Sequence, residues 1–475
     1  MVDVVSLSEQ ELGTTGWRVS QAGFGCYRVD VSVEEHRKAL KKALCEGINL
    51  IDTSANYSDG GSEELVGAVL AEVGREGMVV VSKVGYLQGQ NYELSQQRKR
   101  EGRPFPDLVL YGQGLEHCMH PVFLEDQLTR SLGRLRMETL DCYLLHNPEY
   151  YLGWAKKETV PLEQAREEYY RRIELAFRHL EQEVERGRIR CYGISSNTFP
   201  APEQDPQFTS LERVWEIAER ISPDHHFRVI QLPMNLFETG GVTEKNQSEG
   251  RSVIAFAKSK GIGVLINRPL NAFVGNALVR LADVEVGEVP EVASFVQQLA
   301  QQEAELKGTL FPNLNEKVAD QLSAGVLLQE HWRSFSSLEH WQEVVGQFLV
   351  PTVQSGIRAL LQETDAQAWV QGYVAKVNET LQAVTAHYKR QEAERADAIK
   401  QQVAEADAEW AAADGLSGMA VRALRLTEGV ACVLVGMRQE RYVEDVLLEL
   451  KQPVEVRDRE ASWQALVINR RKSAE

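Results

Sequence analysis

Residues Asn49–Leu70 read NLIDTSANYSDGGSEELVGAVL, a short apolar strand followed by a loop and the first turns of a helix. Asp52 ends the strand, and Tyr57 lies five positions later in the loop. Ser62, with a pair of glutamates directly behind it, is typical of a helix N-terminus. A tyrosine held beside a buried carboxylate is suited to donate a proton. The stretch therefore predicts a β/α unit with a chemical site in its loop.

Two later strands end in residues that suit the same site. The strand MVVVSK ends at Lys83, and the strand DCYLLH ends at His146. A parallel barrel carries its chemistry at the carboxyl ends of its strands. Each of these residues alone also fits an ordinary turn, packing or surface role. Together, on consecutive strand ends, Asp52, Tyr57, Lys83 and His146 favour catalysis.

The alternation of short apolar strands with amphipathic helices continues along the chain and predicts a parallel sheet. Eight strands, each with a helix, favour a closed (β/α)8 TIM barrel in the α/β class. An open doubly wound sheet is the alternative, but no GxGxxG motif follows the first strand. We expect the strands to begin near Gln21, Asn49, Val79, Asp141, Arg190, Val229, Gly263 and Ala431.

Composition restricts the possible partners. The chain of 475 residues has a net charge of −17, which disfavours a nucleic-acid surface. Its start, MVDVVSLSEQ, lacks the features of a signal peptide, and no stretch reaches the ~20 apolar residues of a membrane helix. We therefore expect a cytoplasmic protein with no membrane partner, and the sequence shows no metal-binding cluster.

The six cysteines are scattered and none has CxxC spacing. A thiol inside a strand is most simply a small buried apolar group. We therefore expect reduced core cysteines rather than a disulfide or a metal site. The cysteines in predicted strands are Cys26, Cys142, Cys191 and Cys432.

Two segments exceed a minimal barrel. Residues 86–122 form a long loop after Lys83, and long loops at such positions are often functional. Its basic run at Arg98–Arg100 and Arg103 either binds an anionic substrate group or lies in solvent. The second segment is rich in Gln, Glu, Ala and Leu with a helical pattern. The predicted division is barrel strands one to seven (1–275), a helical insertion (276–414), and the last helices and strand with a C-terminal tail (415–475).

The insertion contains an apolar seam with helical spacing, which must be buried. It can pack on other insertion helices, on the barrel or on a second subunit. We favour packing within the insertion, as a cap or side domain that narrows access to Tyr57, and a homo-oligomer formed through it is a further possibility. The seam comprises Val370, Val374, Val377, Leu381, Val384 and Tyr388, and its expected partners are Leu327, Leu328, Trp332, Trp341 and Phe348.

Several ordered motifs resemble the aldo-keto reductase family. ELGTTGWRVSQAGFG resembles the N-terminal hairpin and first strand of that family, and SLGRLRMETLDCYLLHNPE resembles its fourth-strand signature. ERGRIRCYGISSNT and VIQLPMNLF resemble the fifth and sixth strands. GLSGMAVRALRLTEGVACVLVGMRQERYVEDVL resembles the last helix, strand and cofactor segment. The helical insertion has no recognised counterpart. The resemblance implies a TIM barrel that reduces carbonyl compounds with a nicotinamide cofactor.

The same resemblance assigns roles to the four residues at the strand ends, and elementary chemistry supports them. Tyr57 would donate the proton, and the Lys83 cation would favour the phenolate. Asp52 would orient Lys83. His146 would hydrogen-bond the carbonyl oxygen or share in delivering the proton.

The resemblance also places cofactor contacts at the later strand ends. Ser195 and Ser196 occupy the positions of a Ser-Asn pair that holds the nicotinamide carboxamide, so Asn197 could take over from Ser196. Gln231 matches the carboxamide-binding glutamine. Asn267 stands where the family usually has an aromatic ring that stacks on the nicotinamide, and Arg268 could contact the pyrophosphate instead.

The segment GMRQERYVEDV resembles the region that receives the adenosine 2′-phosphate and the adenine. Arg438 and Gln439 fall at its phosphate-contacting positions, at a helix N-terminus that favours anions. Asp445 falls at the adenine-contacting position, whereas we expect Arg441 to lie in solvent. The charge of Arg438 favours NADP, as NADPH, over NAD.

The sequence thus predicts an NADP(H)-dependent oxidoreductase that acts on a small aldehyde, ketone or alcohol. An alternative is a regulatory or scaffold protein that binds NADPH with little turnover, as some relatives such as potassium-channel beta subunits combine both roles. A third possibility, a sugar-binding or isomerising barrel without nicotinamide, would leave the segment from Gly436 to Asp445 unexplained.

Overall fold

A computed structural model describes residues 7–275, 277–310 and 314–472. The chain divides into two compact units, the first comprising Met1–Leu281 with Gln402–Glu475 and the second Ala282–Gln401. The proposed domain bounds at 276 and 414 remain a prediction.

The first unit contains a closed barrel of parallel strands that follow one another in chain order around the ring. The predicted TIM barrel is therefore confirmed. All eight strands begin close to their predicted positions, and β8 pairs with β1 to close the ring. The strands are β1 (Ala22–Gly25), β2 (Leu50–Asp52), β3 (Val79–Val84), β4 (Leu140–His146), β5 (Ile189–Ser195), β6 (Phe227–Pro233), β7 (Gly263–Asn267) and β8 (Cys432–Val435).

Helices follow the strands in the predicted order and cover the outside of the barrel. The principal ones are Glu34–Cys45, Gly61–Val73, Pro121–Leu135, Leu162–Glu185, Leu211–Ile221, Val253–Ser259, Gly415–Arg425 and Glu440–Leu450. Shorter or additional helices are Tyr57–Gly60, Gly89–Arg100, Tyr150–Lys157, Gly240–Thr243, Ser248–Gly250, Ala408–Ala411 and Glu460–Lys472.

The barrel interior is packed with apolar side chains from alternating strand positions. Cys142, Cys191 and Cys432 belong to this cluster, as expected of small apolar groups. Cys26 is also buried, and all six cysteines are free. The cluster comprises Leu12, Val19, Leu50, Val79, Val81, Cys142, Leu144, Cys191, Val229, Leu265, Ala431, Cys432 and Leu434.

The predicted N-terminal hairpin pairs Glu9–Glu11 with Arg18–Ser20 at the end of the barrel opposite the carboxyl ends of the strands. Its turn approaches the start of β7 so closely that a Cβ on Gly13 would lie 2.3 Å from the amide nitrogen of Gly263. Gly13 also has a φ of 54°, so glycine suits both the space and the backbone there. Trp17 packs against the barrel cluster, and the hairpin thereby covers this end of the core.

Residues 86–122 are not the long loop that we expected from the sequence. They form an antiparallel sheet of three short strands, Tyr86–Leu87, Val109–Gly112 and Leu115–His117, together with the helix Gly89–Arg100. Strands this short give little alternation of apolar and polar residues, which explains why the sequence pattern did not reveal them.

The second unit is helical. Between β7 and this unit, Asn271–Val274 and Ala277–Arg280 form a hairpin. The helical segments that follow are Val292–Glu305, Leu306–Leu310, Glu316–Gln321, Ala324–His331, Leu338–Val344, Val345–Leu349, Val350–Glu363 and Gln367–Ala406.

The apolar seam lies on the long helix Gln367–Ala406 and packs within the insertion, as predicted, except for Val374, which is exposed. Val384 and Tyr388 form a buried cluster with Leu328, Trp332 and Trp341. A second cluster contains Val377 and packs against the partly buried Val370. Three of the expected partners are thus correct, whereas Leu327 and Phe348 are exposed.

One described helical stretch, Leu338–Glu363, is long and apolar enough to cross a membrane by length and composition. From the sequence we expected no such stretch. A single helix of this kind is weak evidence of a membrane span, because core helices of soluble proteins share these properties.

Candidate active site

Lys83 lies at the centre of the site, fully buried near the end of β3. Its Nζ donates to Asp52 Oδ2 at 2.7 Å, to the carbonyl oxygen of Thr53 at 2.9 Å and to Tyr57 Oη at 3.3 Å. An ammonium group has three N–H donors. All three are therefore used within the protein, and Lys83 is held in one orientation between the carboxylate and the phenol.

Tyr57 begins a short 3₁₀ turn immediately after β2 and its loop. The next two residues have positive φ, 48° for Ser58 and 52° for Asp59, a conformation that L-residues avoid unless the surroundings hold it. The Ser58 hydroxyl donates to the carbonyl oxygen of Val29 at 2.8 Å, and Asp59 Oδ1 accepts from the backbone N–H of Gln90 at 3.1 Å. These bonds fix the turn that positions Tyr57.

The titration behaviour of the three groups follows from burial and from their mutual charges. Burial raises the pKa of Tyr57, with Lys83 opposing and Asp52 adding to the shift. Burial alone would lower the pKa of Lys83, but Asp52 and Tyr57 raise it overall. Lys83 lowers the pKa of Tyr57 as expected, yet the net direction is upward. Tyr57 is consequently a protonated phenol in the free protein.

His146 ends β4 and completes the predicted group of four. Its Nδ1 lies 3.2 Å from the Ser54 hydroxyl, and its ring centroid lies 6.0 Å from that of Tyr57. His117 Nε2 donates to the carbonyl oxygen of His146 at 2.8 Å. Burial, the Lys83 charge and His117 hold the pKa of His146 well below its usual value, so the imidazole is neutral.

Gln231, in β6, also joins this group. Its Nε2 donates to Asp52 Oδ1 at 2.8 Å, while its Oε1 accepts from the Ser195 hydroxyl at 3.1 Å and from Asn267 Nδ2 at 3.2 Å. Of the residues predicted for the cofactor, Gln231 is thus hydrogen-bonded directly to Asp52, and Ser195 is joined to Asp52 through Gln231.

Ser196 is arranged differently from Ser195. Its hydroxyl is buried and donates to Glu149 Oε2 at 2.9 Å. Glu149 Oε1 accepts from the backbone N–H of Asn197 at 2.8 Å, and the Asn197 side chain is exposed. Because Ser196 is engaged with Glu149, Asn197 is the better placed of the two to contact a ligand.

Glu149 is a buried carboxyl that the sequence analysis did not single out. Burial raises its pKa from 4.5 to about 7, although the hydrogen bonds from Asn197 and Ser196 oppose the shift. Glu149 follows β4 directly and ties its loop to the loop after β5. The only sequence signal for it was its place shortly after His146.

The remaining predicted residues are spread over the ends of β7 and β8. Arg268 follows β7 and its Nη2 donates to Glu238 Oε1 at 2.6 Å. Arg438 and Gln439 are partly exposed just before the helix Glu440–Leu450, and Asp445 is exposed on that helix. Among the described residues, no hydrogen bond or ion pair joins these side chains to the predicted group of four, Asp52, Tyr57, Lys83 and His146.

A nicotinamide cofactor requires polar groups that are left open for it, and the end of β7 provides them. Asn267 Oδ1 and Arg268 Nε are buried without a hydrogen-bond partner among the described residues. Such orphaned groups are costly unless a ligand or water satisfies them. The residues present therefore fit a ligand that carries both a hydrogen-bond donor and an acceptor or anion, as nicotinamide dinucleotides do.

The closed barrel, with Asp52, Tyr57, Lys83 and His146 grouped at the carboxyl ends of its strands, has the arrangement of a barrel-enzyme active site. Sequence comparison then assigns the family. The model of the aldo/keto reductase family matches residues 16–278, more than half of the chain. The chain therefore belongs to the aldo/keto reductase family.

Three known proteins illustrate the similarity. Probable aldo-keto reductase 1 of Glycine max is 24% identical over 266 residues, 55% of this chain and 58% of that protein. The NADH-specific methylglyoxal reductase of Escherichia coli (strain K12) is 30% identical over 154 residues, 28% of this chain and 40% of that protein. The solved glycerol dehydrogenase of Gluconobacter oxydans has a TM-score of 0.49 and 16% identity, covering 99% of this chain and 96% of the other. The chain thus matches 58% or less of the length of these two relatives.

Proposed function

We propose that the protein is an NADP(H)-dependent oxidoreductase that reduces an aldehyde or ketone to an alcohol, or catalyses the reverse reaction, with Tyr57 as the proton donor. The observation that carries this proposal is the position of Lys83 Nζ, 2.7 Å from the Asp52 carboxylate and 3.3 Å from the Tyr57 hydroxyl.

The hydrogen-bond directions suit proton donation by Tyr57. Because the Lys83 ammonium can only donate, Tyr57 Oη accepts from it, and the phenol proton is left for another acceptor. A substrate carbonyl oxygen would be that acceptor. As the proton leaves, the phenolate forms beside an ammonium group that is already in place, so no reorganisation is needed.

Asp52 and His146 support this step in different ways. Asp52 balances the charge of Lys83 in a buried setting, where an unpaired cation would be costly. His146 is neutral, so it can offer a ring nitrogen to the substrate oxygen without placing a second cation beside Lys83. The dry surroundings strengthen both interactions.

The cofactor residues are assigned by position and by the contacts around them. The nicotinamide cofactor would supply the hydride, which no side chain can provide. Ser195, Gln231 and Asn197 would hold the carboxamide. Ser196 would contribute indirectly, because its hydroxyl donates to Glu149, which also accepts from the backbone N–H of Asn197. Arg268 would contact the pyrophosphate through its free Nε. Arg438 and Gln439 would bind the 2′-phosphate and Asp445 the adenine.

The decisive experiment measures cofactor binding and turnover separately. Fluorescence titration with NADPH and NADH establishes binding, and a panel of aldehydes and ketones establishes turnover. Both cofactors are needed because one relative is named as NADH-specific. Tyr57→Phe should lose most carbonyl reduction but retain NADPH affinity, since the proton is needed only in the transition state.

Tyr92→Phe, at a partly exposed position on the helix Gly89–Arg100, controls for the loss of a phenol. Wild-type turnover by Tyr57→Phe would contradict the assignment of the donor. Tight NADPH binding without turnover on any carbonyl would instead favour the regulatory or scaffold function, for which the 276–414 insertion provides additional surface.

A further inference from the structure

Asn267 ends β7 at the position where the family resemblance predicts a stacking ring. It pairs with Pro233 of the neighbouring strand β6, and its side chain reaches Gln231 on the same strand. An amide side chain cannot replace the π-surface of an aromatic residue. It can, however, form hydrogen bonds, and Asn267 Nδ2 donates to Gln231 Oε1 at 3.2 Å. The exchange of a ring for an amide therefore introduces a polar contact at this point.

This contact is the first link of an unbroken chain of hydrogen bonds that reaches the proton donor. Gln231 Nε2 donates to Asp52 Oδ1 at 2.8 Å, and Asp52 Oδ2 accepts from Lys83 Nζ at 2.7 Å. Lys83 in turn donates to Tyr57 Oη at 3.3 Å. Gln231 and Lys83 are buried, so these bonds face little competition from water.

The Asp52 carboxylate determines which end of the Gln231 and Asn267 amide groups donates and which accepts. A carboxylate paired with an ammonium only accepts hydrogen bonds, so Gln231 must turn its NH₂ group toward Asp52. Its Oε1 then faces the opposite way, toward Asn267 and Ser195, and both of these must donate. Ser195 has a single hydroxyl proton. Asn267 therefore supplies the second of the two donors that keep Gln231 in the orientation which serves Asp52.

We propose that Asn267 is a positioning residue for the proton donor Tyr57, acting through Gln231 and the Asp52–Lys83 pair. The proposal rests on the proposed function, because it assigns Asn267 a part in the same proton transfer. The Gln231 hydrogen bond favours the charged form of Asp52, and the anionic Asp52 keeps Lys83 charged and directed at Tyr57. Asn267 makes that hydrogen bond persistent by preventing the Gln231 amide from turning over.

Apart from Lys83, the titratable groups around Asp52 are neutral. The charge of Asp52 therefore depends on its hydrogen bonds to Lys83 and Gln231. Burial raises the pKa of Asp52, while Lys83 and the Gln231 hydrogen bond oppose the rise. Tyr57 faces Asp52 as a neutral phenol, and burial raises the pKa of the thiols on the neighbouring elements, which are therefore neutral as well. The titratable groups around Asp52 are Lys83, Tyr57, Cys26, Cys142 and Cys432.

The test is Asn267→Leu, which keeps the approximate size of the side chain but cannot donate. Without the second donor, the anionic form of Asp52 is less favoured. The acid limb of the pH profile of kcat/KM should therefore move to higher pH, by about 0.5–1 unit for the loss of one hydrogen bond. Ser195→Ala, which removes the other donor to the same oxygen, should move the limb in the same direction.

A double-mutant cycle separates this effect from a general disturbance of the site. Gln231→Leu should move the acid limb at least as far as Asn267→Leu does. In the Gln231→Leu background, Asn267→Leu should then cause no further shift. Two independent, additive shifts, or an unchanged limb with only a weaker affinity for NADPH, would overturn the proposal and leave Asn267 as a cofactor contact.

A readout without cofactor or substrate keeps the test valid if the protein proves to have no turnover. The difference in melting temperature between the wild type and Asn267→Leu should widen as the pH rises through the titration of Asp52, because only the anion depends on the Gln231 bond. In the Gln231→Leu background the difference should be independent of pH. A difference that does not vary with pH in either background would overturn the proposal, whatever the outcome for carbonyl reduction.

Discussion

The ends of β2 to β4 and the ends of β7 and β8 differ in how their polar groups are satisfied. At the first, Lys83 places all three N–H donors on oxygen atoms of the protein. At the second, Asn267 Oδ1 and Arg268 Nε are buried without a partner in the described residues.

This difference indicates that the two sides of the barrel mouth have different roles. On the side of the barrel mouth that would handle the proton, the bonds among Asp52, Lys83 and Tyr57 are formed in the free protein and need no ligand to assemble them. The side that would hold the cofactor has unused donors and acceptors, which a ligand can satisfy. Substitutions on the first side should therefore change rate, and substitutions of Arg268 or Arg438 on the second should change affinity. Asn267 is the exception, because its hydrogen bond to Gln231 joins it to the first side.

The largest effect is expected for Lys83→Met, which removes the cation between Asp52 and Tyr57. Carbonyl reduction should fall by about 10²–10³-fold, the scale of losing one preorganised donor at a developing charge. NADPH affinity should change little. Steady-state kinetics and fluorescence titration measure the two quantities, with the exposed Lys38→Met as the control for loss of a positive charge.

Removing Lys83 also leaves Asp52 buried without its partner, which can prevent folding. The double variant Asp52→Asn/Lys83→Met removes that unpaired charge and should fold. It should be as slow as the single variant if Lys83 acts on Tyr57. Recovery of wild-type turnover in the double variant would show that Lys83 only neutralises Asp52.

Glu149 lies between the two regions, and its expected effect is on stability. Its pKa rises from 4.5 to about 7 on folding, so the unfolded chain loses the proton first as the pH increases. The stability that comes from the neutral form is complete below about pH 4.5 and is lost as the pH rises through about 7. Glu149→Gln removes this dependence.

The measurement compares denaturant unfolding of the wild type and Glu149→Gln from pH 5 to pH 8. The difference in unfolding free energy should shift by about 2–3 kcal/mol in favour of the variant over this range. Glu203→Gln, at an exposed position, serves as the control. Parallel curves for the wild type and Glu149→Gln would place the titration of Glu149 outside this window.

Arg438→Ala tests the side that would hold the cofactor. It should weaken NADPH binding by about 1.5–3 kcal/mol, the scale of a charge-assisted hydrogen bond, and leave NADH binding nearly unchanged. Arg358→Ala, at an exposed position on the insertion helix Val350–Glu363, is the control for the loss of an arginine. An equal loss for both cofactors would place Arg438 away from the 2′-phosphate.

The smallest effect is expected at the basic run in residues 86–122. Arg98 packs over the Phe105 ring at 4.3 Å, and Arg103 pairs with Glu101. Reversing the charges of Arg98, Arg100 and Arg103 to Glu should raise KM for carboxylated carbonyls by about two- to fivefold and leave neutral ones unchanged, as expected of screened surface charges. Equal effects on both substrate classes would show that the run is only a solvated surface.

The barrel could be predicted from sequence because its strands are short apolar runs with helices between them, and several strands have a polar residue at or near their ends. Asp52, Lys83 and His146 all lie within such ends. The turn after Tyr57 could not be predicted, since its positive φ values depend on a bond from Ser58 to Val29 and a bond from Gln90 to Asp59, and both partners are distant in the chain.

The hydrogen bonds across the barrel mouth could not be predicted from the sequence either. Gln231 was assigned to a cofactor from its position, yet its contact with Asp52 joins residues far apart in the chain. Glu149 carries no motif of its own, and its pKa depends on burial by tertiary packing. In the insertion, helical spacing identified the seam, whereas the exposure of Phe348 depends on how the helices pack.

The closure of the ring has a consequence for how the chain acquires its structure. Ala22 of β1 pairs with Val433 of β8, and the two lie in the first and the last parts of the sequence. A ribosome therefore releases seven strands and the whole 282–401 unit before β8 can dock. Until then β1 and β7 have unpaired edges, with which strands of other chains can form incorrect hydrogen bonds. We expect slow refolding, limited by this long-range pairing, and a need for chaperones that ends when β8 is added.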